Sequence, residues 1–134
     1  MTYVKEPDEE LLVERLGSLG ERCELIVSSG TSDSSSAAML DLVDYLVTLA
    51  PTYLHRRFEE PRVHGQAPTL RIASPRYPDL GIEFLGTPSG HEFLNLIDGI
   101  ELVTGRAHAL DPVTLALLAQ MTSLIPLKVF VTPT

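Results

Sequence analysis

The chain has 134 residues, of which 44% are hydrophobic and 21% charged, the balance of one ordinary globular domain or slightly more. Its single cysteine, Cys23, excludes an intramolecular disulfide and a cysteine-based zinc cluster, and fits a reducing compartment. The formal net charge of -8 argues against nucleic acid or an anionic membrane as partner, because an acidic surface repels phosphates. Since no membrane-spanning run and no signal-peptide core is recognisable, the sequence predicts a soluble, cytoplasmic protein.

The first half of the chain alternates helical and strand patterns. Apolar residues at helical spacing predict a helix over residues 8–19, and a short β-branched run predicts a buried strand that starts at Cys23. The polar segment 30–36 precedes an apolar helix over residues 37–50. Residues 53–58 carry more polar side chains and predict a weaker strand near an edge of the sheet.

The second half begins with a predicted hairpin and continues with a helix. Residues 68–74 and 81–86 alternate apolar and polar side chains, and the short turn between them favours an antiparallel pair. Pro88 suits the first turn of a helix, and the spacing of Ser89 and Glu92 is typical of a capping box. Gly105 ends this helix. Its apolar face consists of Phe93, Leu96, Ile97, Ile100 and Val103.

A helix and a strand close the chain. Asp111 as a cap, with Pro112 in the first turn, predicts a helix that extends to Leu124. A strand is predicted after it, over residues 127–132. This pair repeats the pattern of the first helix and strand. The sequence therefore predicts a first unit over residues 1–107 and the first helix and strand of a second unit over residues 108–134.

The run from Gly86 to Phe93, with the hairpin before it, resembles part of a known family. It is similar to the N-terminal domain of the alkyl hydroperoxide reductase F subunit and to the glutaredoxin-like protein disulfide oxidoreductases, which consist of two fused thioredoxin folds. The resemblance implies a three-layer α/β thioredoxin-like fold, with a central mixed sheet and helices on both faces, and a place in disulfide or peroxide-reducing electron transfer. The motif residues are Gly90, His91, Glu92 and Phe93.

The resemblance also implies where such folds carry their Cys-x-x-Cys motif. In some members the first fold has it in the loop that corresponds to residues 31–36, and the second fold has it directly after a strand similar to residues 129–134. Both thiols are absent from the first loop here, and Pro68 corresponds to the cis-proline that borders that loop. The degenerate active-site loop consists of Thr31, Ser32, Asp33, Ser34, Ser35 and Ser36.

Hydroxyl groups cannot replace the missing thiols, because thiol–disulfide exchange needs an attacking thiolate and a second, resolving thiol. The serines at positions 34 to 36 are most simply helix caps, and the alternative is that the helix amides bind an anion or the tail of a partner. Cys23 starts a strand rather than a helix, so we interpret it as a small, partly buried residue.

The histidines carry no recognisable metal-site pattern. His55, His64, His91 and His108 show neither the i,i+4 spacing nor the cysteine partner of such sites, so the sequence predicts no metal and no cofactor. Capping does not require His91, which could pack against a second fold or bond to the loop after Leu85.

Three functions are open at this point. The favoured one is a redox-inactive thioredoxin-like unit, a scaffold or docking platform for a Cys-x-x-Cys-bearing unit or redox partner protein. The second is a stand-alone interaction or dimerisation module whose last strand, residues 127–131, pairs with a second copy or a client. The third is an enzyme that uses Cys23 as a lone peroxidatic or glutathione-linked thiol.

Overall fold

A computed structural model of the chain describes residues 6–30 and 33–131. Helices and strands alternate as far as the second strand, and a hairpin and two helices follow, as the periodicities predict. The elements in chain order are α1 (Glu6–Gly17), β1 (Cys23–Ser28), α2 (Ser34–Leu49), β2 (Leu54–Glu59), β3 (Thr69–Ser74), β4 (Tyr77–Leu85), α3 (His91–Val103) and α4 (Pro112–Leu118).

The strands form one mixed sheet in the order β2-β1-β3-β4. β1 and β2 are parallel, with Cys23 opposite Leu54, whereas β1 and β3 are antiparallel, with Leu25 opposite Ile72. β3 and β4 form an antiparallel hairpin in which Ile72 faces Ile82. The predicted hairpin and the predicted edge position of β2 are both confirmed.

Helices α1, α2 and α3 pack on one face of this sheet. Leu25 and Val27 of β1 point to that face, because alternate side chains of a strand project to opposite sides. Gly99 of α3 lies so close to the sheet that an added Cβ would sit 3.1 Å from Ile82 Cδ1 and 3.2 Å from Ile72 Cδ1. The core side chains from these elements are Leu12, Leu16, Cys23, Leu25, Val27, Met39, Leu42, Val43, Leu46, Leu54, Leu70, Ile72, Phe93, Leu96, Ile97, Ile100 and Val103.

The opposite face of the sheet carries ion pairs around the buried Ile26, which lies between Arg57 and Arg71. Arg57 pairs with Glu24 at 3.6 Å and with Glu59 at 3.1 Å, and Arg71 pairs with Glu59 at 2.6 Å. No helix in the described part of the chain covers this face, so the third layer implied by the resemblance is missing there. The reason lies in residues 60–68, which connect β2 to β3 and contain helix-breaking proline and glycine instead of a helix.

Polar contacts fix α1 against α2 and α3. The Tyr45 hydroxyl of α2 donates to a Glu9 carboxylate oxygen of α1 at 2.5 Å. Desolvation by burial, together with this hydrogen bond, raises the pKa of Tyr45 to about 12. Arg15 of α1 pairs with Asp98 of α3 at 2.9 Å and with Glu101 of the same helix.

The start of α3 differs from the predicted capping box. The N-cap is Gly90, with φ of 57°, and no side chain caps the helix there. Ser89 acts through its backbone instead, since its carbonyl oxygen accepts from the Glu92 N–H at 3.1 Å. Pro88 lies before the helix rather than in its first turn, because the positive-φ turn at Gly90 sets the helix start at His91, three residues after Pro88.

The C-terminal segment is less regular than predicted. The Asp111 cap is confirmed, since its carboxylate accepts from Thr114 N at 2.8 Å. However, α4 ends at Leu118, and residues 122–131 form neither the rest of the helix nor the predicted strand; position 132 lies outside the described residues. A seven-residue helix without buried residues is marginal, and a strand requires a paired neighbour.

Candidate functional site

Three connections meet at the carboxyl end of β1. Ser28, the last residue of β1, lies opposite Thr69, so the loop that follows β1 runs beside Pro68. The N–H of Gly86, in the turn after β4, donates to the Pro68 carbonyl oxygen at 2.8 Å. The degenerate loop, the connection into β3 and the start of the Gly86–Phe93 motif therefore lie at one end of the sheet.

The connection into β3 closes over the end of β1 at a glycine. The Gly30 N–H donates to the Gln66 carbonyl oxygen at 3.0 Å. A Cβ at Gly30 would lie 2.5 Å from Gln66 N and 2.7 Å from Gly65 N, which are both backbone atoms. Only glycine permits this approach. The sequence patterns did not predict this contact, and the one signal they offered was a glycine directly after a buried strand.

Asp33, and not a serine, caps α2. Its Oδ1 accepts from Ser35 N at 3.1 Å and from Ser36 N at 3.2 Å. A carboxylate fits this position better than a hydroxyl does, because its charge also interacts favourably with the positive end of the helix dipole. The interpretation of the serines at 34 to 36 as the caps is therefore corrected.

Ser36 turns inward from the loop. It is 8% exposed, and its hydroxyl oxygen lies 2.5 Å from that of Ser29, so the two share a hydrogen bond. This pair joins the end of β1 to the first turn of α2. Thr31 and Ser32 lie outside the described residues.

We expect Asp33→Ala to lower the free energy of unfolding by about 1 kcal/mol, because it leaves two first-turn N–H groups of α2 without their acceptor. Urea unfolding followed by circular dichroism measures the effect. Ser34→Ala is the matched control: Ser34 is exposed in the same turn, and we expect a change within about 0.5 kcal/mol. Equal losses from the two variants would contradict the assignment of the cap.

Pro68 occupies the expected position but not the expected conformation. It is buried beside the degenerate loop, and the peptide bond that precedes it is trans. The cis-proline prediction is therefore wrong. The trans form of such a bond is intrinsically favoured by about 0.5–1 kcal/mol, so a cis bond requires specific surroundings. Here the Pro68 carbonyl oxygen accepts a hydrogen bond from the Gly86 N–H, and the Gln66 carbonyl oxygen accepts one from the Gly30 N–H.

Cys23 lies at the other end of β1 from this loop, about 20 Å away for a strand of this length. Its side chain is 0% exposed, and its thiol contacts the Glu24 carbonyl oxygen at 3.9 Å. Desolvation, followed by the charge of Glu24, raises the pKa of Cys23 to about 12. Burial and a raised pKa both make this thiol a poor nucleophile, so the structure disfavours the lone-thiol enzyme.

The four motif residues divide into structural positions and one surface side chain. Gly90 forms the turn into α3, Glu92 lies in its first turn, where a carboxylate favours the helix dipole, and Phe93 belongs to the core. His91 is the first residue of α3 and is exposed. Structure accounts for three of the four residues, and His91 is the one left for a contact outside the fold.

The described residues hold no obvious site for an ion. Across residues 6–30 and 33–131, no three metal-ligating side chains lie together. Over the same ranges, none of the helices combines the length and the apolar character needed to cross a bilayer.

The fold of the chain matches solved structures over most of its length. The alkyl hydroperoxide reductase F subunit of Enterococcus faecalis superimposes with a TM-score of 0.76 and 16% identity over 90% of this chain. The chain has a thioredoxin-like fold. A structure of the NTD_N/C domain of the same E. faecalis protein gives 0.70 and 18% over 83%, and a protein disulfide oxidoreductase from Aeropyrum pernix gives 0.64 and 22% over 88%.

These comparisons confirm the sequence resemblance at the level of the fold. The thioredoxin-like chain spans 62%, 57% and 56% of the lengths of the three solved chains, in the same order. No protein-family model and no curated protein matches it. The activities of those longer proteins therefore bear on this chain only as a proposal.

Proposed function

We propose that this chain is a redox-inactive thioredoxin-like unit of a disulfide-reducing system, and that it serves as a scaffold or docking platform for a unit or partner protein that carries Cys-x-x-Cys. One observation carries the proposal: Asp33 and Ser36 occupy the N-terminus of α2, where a thioredoxin-like fold would hold its thiols. The similar solved proteins, an alkyl hydroperoxide reductase F subunit and a protein disulfide oxidoreductase, support a place in a disulfide-reducing system.

The first turn of α2 is unsuited to redox chemistry for a second reason. A helix N-terminus activates a thiol because its free N–H groups stabilise the thiolate. Here the Asp33 carboxylate already accepts from Ser35 and Ser36 and brings a negative charge of its own. The same arrangement disfavours an anionic ligand at this end of the helix, which was the alternative interpretation of the loop.

We expect the chain alone to reduce insulin with dithiothreitol no faster than the uncatalysed background. Cys23→Ser should give the same rate, because the Cys23 thiol is buried and its pKa is raised. The turbidity of precipitating insulin measures both rates. Turnover by the wild-type protein that is lost in Cys23→Ser would overturn the redox-inactive assignment.

The scaffold role requires a separate measurement. A thioredoxin-like unit that carries Cys-x-x-Cys, added to this chain, should bind in titration calorimetry and reduce insulin faster than it does alone. His91→Ala should weaken the binding if the exposed motif histidine contacts the partner, whereas the exposed Glu10→Ala serves as the control. Absence of binding and of stimulation would overturn the scaffold role and leave the redox-inactive assignment standing. A scaffold of this kind would work in a reducing compartment such as the cytoplasm.

A second candidate is a dimerisation module. The observation that favours it is the exposure of an apolar run near the C-terminus, where Leu127, Val129 and Phe130 are 87%, 83% and 92% exposed. A contiguous exposed apolar patch of more than a few hundred Å² typically marks an interaction surface. A protein that sediments strictly as a monomer at high concentration would exclude this candidate.

A further inference from the structure

The two outer strands of the sheet differ in how well they are protected against pairing. Each borders only one neighbour in the described sheet, β2 beside β1 and β4 beside β3. The exposed β2 carries Arg56, Arg57 and Glu59, and charges of this kind discourage the addition of another strand. The last five residues of β4, residues 81–85, read Gly-Ile-Glu-Phe-Leu and contain one charge. The edge of β4 is therefore the more receptive one.

Residues 127–131 have the composition of a strand but no pairing partner in the described structure. They read Leu-Lys-Val-Phe-Val, which is rich in residues that favour strands, and they form no secondary structure. All five are exposed. Burying them would remove on the order of several hundred Å² of apolar surface from water, since one aromatic side chain alone contributes roughly 150–250 Å².

The two stretches complement each other in charge and in pattern. Glu83 is the only charged residue of the first stretch, and Lys128 is the only charged residue of the second. If Lys128 lies beside Glu83, then Leu127 and Val129 fall on the same face as the two apolar neighbours of Glu83, in either strand direction. Those neighbours, Ile82 and Phe84, point to the core face of the sheet.

We propose that residues 127–131 of one copy add to the free edge of β4 in a second copy. The inference rests on the second candidate function and names its surface. In the described structure the segment is not paired with the β4 of its own chain. In a two-fold symmetric dimer, each copy gives its residues 127–131 to the partner and receives the partner's segment on its own β4. The free edge of β4 is then covered in both copies, and the buried area is twice that of one strand pair. The exposed apolar residues of α4 precede this segment in the chain and could extend the surface toward the roughly 800 Å² per partner of a stable interface.

Charge exchange tests the pairing through the dimer dissociation constant, measured by sedimentation equilibrium. Glu83→Lys and Lys128→Glu should each raise that constant about tenfold, since a like-charge pair replaces an opposite pair twice in each dimer. The double variant should recover most of the loss. Glu60→Lys, which makes the same change of charge next to β2, is the control and should have little effect.

Hydrogen exchange supplies the second measurement. Residues 81–85 and 127–131 should gain protection together as the protein concentration rises, and Val129→Pro should remove it, because proline cannot donate to a strand pair. Circular dichroism confirms that each variant is folded. The proposal is overturned by a monomer at millimolar concentration, by protection of both stretches in the monomer, which would show pairing within one chain, or by a dimer indifferent to Glu83→Lys.

Discussion

Asp33→Cys combined with Ser36→Cys is expected to give this protein a disulfide that its own sequence cannot form. The two positions are the N-cap and the third residue of α2, and Asp33 Oδ1 already lies 3.2 Å from Ser36 N. Side chains three residues apart at a helix start have Cβ atoms about 5–6 Å apart, so a shift of about 1–2 Å at the N-cap brings them to the roughly 3.5–4.5 Å that a disulfide spans. The helix N-terminus should also lower the pKa of the new thiol at position 33.

Thiol titration after equilibration with oxidised and reduced glutathione measures this result. The buried Cys23 should stay unreactive in the folded protein, so that only the introduced pair titrates. Asp33→Cys with Ser35→Cys is the matched control, since residues two apart in a helix do not face each other. If the control pair closes as readily, or the thiols introduced at positions 33 and 36 stay reduced under oxidising glutathione, the loop does not keep the geometry of a thiol site.

Gly30→Ala should destabilise the fold by about 1–3 kcal/mol, the usual cost of forcing extra atoms into a packed site. The new Cβ would meet two backbone nitrogen atoms, those of Gly65 and Gln66, at 2.7 Å and 2.5 Å. Backbone cannot rotate away as a side chain can, so residues 60–68 must move as a whole. The hydrogen bond from Gly30 N–H to the Gln66 carbonyl should be lost with them.

Gly17→Ala is the control for this substitution. Gly17 ends α1, and a Cβ there would have no atom within 4 Å. Alanine should leave the stability unchanged or raise it by up to about 1 kcal/mol, because it restricts the unfolded chain. Chemical unfolding measures both variants, and hydrogen exchange at Gly30 reports the lost bond. Similar stabilities for the two proteins would show that the connection does not close tightly on β1.

A missing thiol pair and a preserved framework together limit what this protein can do. The core of α2, α3 and one sheet face positions the loops at the carboxyl end of β1. The chemistry at their meeting point is different, with a carboxylate cap, a serine pair and a glycine-dependent closure. The proposed scaffold role would therefore use the surfaces around these loops rather than a reacting group.

Local patterns predicted the elements whose determinants are close together in the chain. The apolar spacing from Phe93 to Val103 gave the buried face of α3, and Asp111 gave the cap of α4. The polar loop before α2 also followed from small polar residues between a strand and a helix. In these cases each residue and its partner lie within one or two turns of each other.

The sequence by itself determined the succession of helices and strands and the absence of a thiol pair, because periodicity and residue identity are local properties. Only the tertiary structure decided that three helices share one face, that Pro68 is trans, and that Gln66 closes on Gly30. It also decided that residues 127–131 form no strand in the described fold. Each of these outcomes depends on a neighbour that is distant along the chain, and a hydrogen bond or a packed contact with such a neighbour leaves no periodic trace in the sequence.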